Sequence, residues 1–155
     1  DKHVQRDVVE RGISCYVLMF FCATLVITIC LPVLTLFKKD FICDPLLFVG
    51  IAVYYFLLNQ HSLFCNIIVS MNQIPYFKAY LVSTAAGICL SCVLCGVLDW
   101  EAWGLVIGQA IPQLFYNNWH WPKFVLDQVE VGYIAAIKNG ISWWVNKLFG
   151  GRKFN

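Results

Sequence analysis

The sequence predicts an all-α integral membrane protein, with four transmembrane helices and a carboxy-terminal amphipathic interfacial helix. Three observations carry that class. The 155 residues are 60% hydrophobic and 13% charged, where soluble domains average about 45–50% and about 25%. The apolar residues gather in uncharged stretches close to the roughly 20 residues that a helix needs to cross a bilayer. The basic residues, finally, fall almost entirely on one side of those stretches. This composition excludes a disordered chain and an ordinary water-soluble enzyme. A net charge of +2 is too small to argue for a nucleic-acid partner.

Residues 1–12 form a polar lead with Lys2, Arg6 and Arg11. The four-span bundle is assigned to 13–121. Its first span, 15–37, carries no charge and contains Pro32. In lipid, neighbouring helices re-satisfy the carbonyl that a proline frees, so a kink is expected rather than a break. The stretch is too long for a signal-peptide core of about 7–15 residues, and more spans follow it. The second span, 45–66, opens on Pro45, a residue suited to the first helical turn. Within it lies a polar knot, Asn59-Gln60-His61-Ser62. The third span, 80–98, is rich in small residues: Ser83, Ala85, Ala86, Gly87, Ser91 and Gly96. Such residues let helix backbones approach closely in a membrane. The fourth, 103–119, contains Gly104-x-x-x-Gly108, then Gln109, Pro112 and Gln113.

The connections at 38–44, 70–79 and 99–102 are short. Four crossings put both chain ends on one face. Nine of the eleven basic residues lie on that face, and Lys38 and Lys39 on the other. The positive-inside rule therefore places both ends in the cytoplasm.

The tail, 122–155, reads differently. Leu126, Val129, Tyr133, Ile137, Ile141, Trp144 and Leu148 recur at spacings of three and four, one helical face. An amphipathic helix lying on the inner membrane surface is expected, ended by Gly150-Gly151. A fifth span is disfavoured, because each charge near the bilayer centre costs roughly 2.5–3.5 kcal/mol. Trp119, Trp121, Trp143 and Trp144 are expected as interfacial anchors.

Candidate chemistry is sparse. Eight cysteines include Cys89-x-x-Cys92-x-x-Cys95, a spacing found in iron–sulfur runs. On a helix within a span these cysteines read as small hydrophobes, so no metal or cofactor is expected. Cys43 lies near the outer loop with no evident disulfide partner. Asp99 and Glu101 sit in a tight outer turn. No nucleophile–base pair, phosphate loop or paired carboxylates appear, so no catalytic residue and no enzyme activity are assigned. Polar groups inside spans are costly and turn toward the bundle interior or a wet cavity. Asn59, Gln60, His61, Gln109 and Gln113 are therefore the cavity-lining candidates, and simple pairing with a neighbouring helix is the competing account of each. The chain opens on Asp1 rather than Met, and reads as a piece of a longer protein.

Three segments carry a family resemblance: Asn72-Gln73-Ile74-Pro75-Tyr76-Phe77-Lys78-Ala79, Trp103-Gly104-Leu105, and Gln113-Leu114-Phe115-Tyr116-Asn117-Asn118-Trp119-His120-Trp121-Pro122. In order and in placement they resemble the carboxy-terminal part of bacterial polysaccharide flippases. These are the O-antigen and capsule exporters of the multidrug/oligosaccharidyl-lipid/polysaccharide exporter superfamily. The resemblance implies the last four helices of a two-lobe, twelve-helix transporter in the cell inner membrane. Such a transporter moves lipid-linked oligosaccharide to the outer leaflet by alternating access, in polysaccharide or lipopolysaccharide biosynthesis. Its partners would be that lipid-linked oligosaccharide, membrane lipid, the remaining helices of the parent chain, and a coupling proton or sodium ion. The family's basic cavity residues have no counterpart within these spans. The alternatives are a related drug/cation antiporter, which acidic residues in the spans would favour, and a stand-alone four-span scaffold or interaction protein.

Overall fold

A computed structural model describes residues 2–37, 44–72 and 74–149. Among the described residues the chain is helical throughout, with no strand. The order is α1 (Lys2–Phe37), α2 (Pro45–Ser70), α3 (Phe77–Gly96), α4 (Glu101–Pro112), a π-helical turn (Gln113–Asn117), α5 (Asn118–Gln128) and α6 (Tyr133–Phe149). Three helices, α1 to α3, are long and apolar enough to cross a membrane. This architecture is compatible with an all-α membrane protein.

The polar lead is not a separate segment. It is the first three turns of α1, which runs unbroken through Pro32. At 1.5 Å per residue its 36 residues span about 54 Å, well beyond the hydrocarbon thickness. The surplus is the basic, amino-terminal part. Helix α2 begins where Asp44 caps it, its carboxylate accepting from the Leu46 backbone N–H at 2.9 Å, with Pro45 next.

Helices α3 and α4 form the closest antiparallel pair. The turn between them uses left-handed backbone at Asp99 (φ 52°), and the Trp100 N–H reaches back to the Leu94 carbonyl at 3.0 Å. Small residues set their approach: a Cβ added at Gly108 would lie 2.7 Å from the Ser91 Cα. One added at Gly104 would lie 3.0 Å from the Cys95 backbone nitrogen. The Gly104-x-x-x-Gly108 pattern thus marks real backbone contact.

Two expectations are corrected. The fourth apolar stretch is not one regular helix but α4, a π-helical turn and α5. Pro112 has no N–H to continue the ladder, and just beyond it the Asn118 N–H bonds the Gln113 carbonyl five residues back. The tail, in turn, is not a single surface helix. Helix α5 continues the preceding stretch, and the chain turns at Val129–Gly132. There Glu130 adopts φ 54°, and the Val131 N–H bonds the Leu126 carbonyl at 3.1 Å, a left-handed helix stop.

Helix α6 then packs along the start of α1. Gly140 sits against Ser14 and the Glu10 carbonyl. The Asn139 amide donates to the Glu10 carboxylate at 2.9 Å, and the Trp144 indole N–H to the Arg11 carbonyl at 3.4 Å. The Arg11 guanidinium lies 4.0 Å from the Trp143 ring centre. Trp143 and Trp144 are therefore docking residues of α6. The core lies at this end of the bundle: Val9 and Ile13 of α1, Phe64 and Ile68 of α2, Trp121 and Val125 of α5, Val129, and Ala136 of α6. Lys38, Lys39, Cys43, Gln73 and the glycine pair with the basic end at 150–155 lie outside the described residues.

Candidate functional site

The polar groups inside the bundle converge on the π-helical turn. A π turn holds one extra residue, so it shifts the helix face by about 100° and frees backbone groups for other partners; such turns occur often at functional sites. Here it brings Gln113 and Asn117 inward, where both are buried. The Asn117 amide donates to the Ser83 hydroxyl of α3 and to the Gln113 side-chain carbonyl, each at 2.7 Å. Its own Oδ1 accepts from the Trp121 indole at 3.2 Å.

His61 of α2 closes this layer. It is 2% exposed. Its ring stacks on Tyr80 of α3 with centres 5.6 Å apart, and the Cys65 sulfur lies 3.4 Å from Nε2. Four elements thus meet through hydrogen bonds and ring stacking. A buried polar layer that is fully paired specifies one packing arrangement, and it can also conduct a proton or hold a polar ligand when it opens.

The five candidates separate into distinct positions. His61 and Gln113 share the layer. Asn59 is exposed and donates to the Tyr55 carbonyl of its own helix at 2.9 Å. Gln109 lies between α3 and α4, where its side-chain oxygen would sit 2.9 Å from a Cβ added at Gly87. Gln60 lines a different feature, an open groove of about 740 Å³ between α1, α2, α5 and α6. The layer's central residue, Asn117, and its partner Ser83 were not among the candidates. The four-residue spacing of Gln113, Asn117 and Trp121 is the one signal that could have found Asn117; Ser83 has none. Trp121, expected at the interface, is 4% exposed and belongs to the core, whereas Trp119 is 73% exposed.

Outside the spans, the Lys2 ammonium hydrogen-bonds Glu130 and holds its carboxyl below the usual glutamate range. Burial pushes the Tyr133 phenol up. Among the described residues no three His, Cys, Asp or Glu side chains are grouped to hold a metal. Cys89 and Cys92 are exposed, and Cys95 donates to the Glu101 carbonyl at 3.2 Å. Comparison with protein-family models, curated proteins and solved structures gives no match.

Proposed function

We propose that this chain is the carboxy-terminal part of a transporter that flips lipid-linked oligosaccharide across the bacterial inner membrane by alternating access. In this reading α4, the π turn and α5 make the fourth crossing, and both ends lie in the cytoplasm. One observation carries the reading: a buried layer of His61, Ser83, Gln113 and Asn117 built on an interrupted helix. Discontinuous helices flanking polar groups are how transporters build midmembrane sites. A polar glycan needs a wet path while its lipid tail remains in hydrocarbon. The layer supplies donors and acceptors at membrane depth, and the π turn is a point where helix register changes at low cost.

The test is export of surface glycan by cells carrying the whole parent protein with His61→Leu or Asn117→Leu. Both are expected to reduce export at least tenfold at equal protein level. Unchanged export in both variants removes the reading.

A further inference from the structure

The groove lined by Gln60 lies on the opposite side of α5 from the polar layer. Its walls are apolar, drawn from Val17 and Phe21 of α1, Phe56 of α2, Leu126 of α5, and Ile134 and Ile137 of α6. Its volume of about 740 Å³ falls within the roughly 300–1,000 Å³ of ligand sites.

One lining residue is anomalous. Asn118 is 6% exposed, yet neither its Nδ2 nor its Oδ1 has a hydrogen-bond partner. A buried amide left unpaired costs about 1–3 kcal/mol for each group. A single group that both donates and accepts, such as a hydroxyl or an amide, would satisfy both atoms. Farther along the same helix, Lys123 and Asp127 line the groove four residues apart. Among the described residues neither enters an ion pair. One cation and one anion in sequence match a headgroup with one phosphate and one ammonium.

We propose that this groove binds a monoacyl aminophospholipid. The chain lies along the apolar walls, and the glycerol hydroxyl pairs with Asn118. The phosphate meets Lys123 and the primary ammonium meets Asp127. From Asn118 to Asp127 the helix rises about 13 Å, a span that a glycerophosphoethanolamine head and two side chains cover together. This binding is independent of the oligosaccharide substrate and of the polar layer.

The test uses the full 155-residue chain in phosphatidylcholine nanodiscs. Lysophosphatidylethanolamine with a brominated chain is titrated in, and binding is read as quenching of tryptophan fluorescence. Trp119 lines the groove, so Trp119→Phe is expected to lose most of the quench. The analogue lacking the glycerol hydroxyl is expected to bind about tenfold more weakly, as is Asn118→Leu, which breaks no internal hydrogen bond. Diacyl phosphatidylethanolamine and lysophosphatidylcholine are expected to bind more weakly than the monoacyl amine lipid. Ile137→Trp, which fills the groove, is expected to abolish quenching with helicity retained. Equal binding of the hydroxyl-free analogue overturns the proposal. So does undiminished binding to Asn118→Leu or to Ile137→Trp.

Discussion

Gly12 and Gly108 are both helical glycines, yet they answer to different physics. A Cβ at Gly12 would meet nothing within 4 Å. Gly12→Ala therefore removes only backbone freedom from the unfolded chain, and thermal unfolding in detergent is expected to show a gain of about 0.5–1 kcal/mol. A Cβ at Gly108 would press on the Ser91 backbone at 2.7 Å. That contact is backbone, so it cannot rotate away; Gly108→Ala is expected to cost about 1–3 kcal/mol, the usual range for overpacking. Asp99 presents the third case. It holds φ 52°, where an L-residue pays for crowding between its Cβ and the next carbonyl. Asp99→Gly is expected to raise the melting temperature, with a gain of up to about 1 kcal/mol. A drop instead assigns the aspartate side chain a stabilising role in the turn.

The docking of α6 on α1 belongs to the scale of elements. It rests on shape at Gly140 and on hydrogen bonds from Asn139 and Trp144, with an exposed ion pair between Lys2 and Glu130 at the far end. The ion pair gives this contact a pH dependence of known sign. The Glu130 carboxyl titrates lower when folded than when unfolded. Its contribution is thus complete above the ordinary glutamate range and is lost as pH falls through the lowered value. Because both side chains are exposed, that contribution is small. An NMR titration is expected to show the Glu130 midpoint rising toward the ordinary value in Lys2→Ala. Gly140→Leu, by contrast, is expected to undock α6 at every pH, read as faster amide exchange across Tyr133–Phe149.

These elements also show what a sequence carries and what it leaves out. The first three apolar stretches became helices because length and hydropathy are local properties, and Pro45 and Asp44 mark the start of α2 unaided. The small residues of α3 and the Gly104–Gly108 pair gave their own contact, since small size has few uses at such spacing. The stop at Glu130 was hidden, because a residue other than glycine takes the left-handed position, Gly132 comes two residues later, and the apolar period runs on across the turn. The partner of α6 was hidden too: an amphipathic face reads alike whether lipid or α1 covers it. In the site, His61 stood out as a polar residue in an apolar run. Asn117 did not, because its burial depends on the π turn, which is set by Pro112 and by packing on α2 and α3.

At the scale of the whole molecule, packing and charge make one combined prediction. The core lies where the amino-terminal part of α1, the end of α2, α5 and α6 meet, while the far halves of α1 and α2 diverge around an apolar groove lined by Phe20, Leu31, Pro45 and Phe56. Lys2, Arg6, Arg11, Lys78, Lys123, Lys138 and Lys147 gather at the packed end by their placement along the chain. Positive charge is retained on the cytoplasmic side during insertion, so the packed end is expected inside and the Val97–Trp100 turn outside. Alkaline phosphatase, which is active only outside the inner membrane, reads this directly. Fusions after Trp100 are expected to be active, and fusions after Asn72 or after Phe149 inactive. Activity at Phe149 with silence at Trp100 inverts the orientation. Activity at both positions reduces the crossings to three and leaves α4 and α5 as a helical hairpin arm packed on α3, which would remove the fourth crossing that the transporter reading requires.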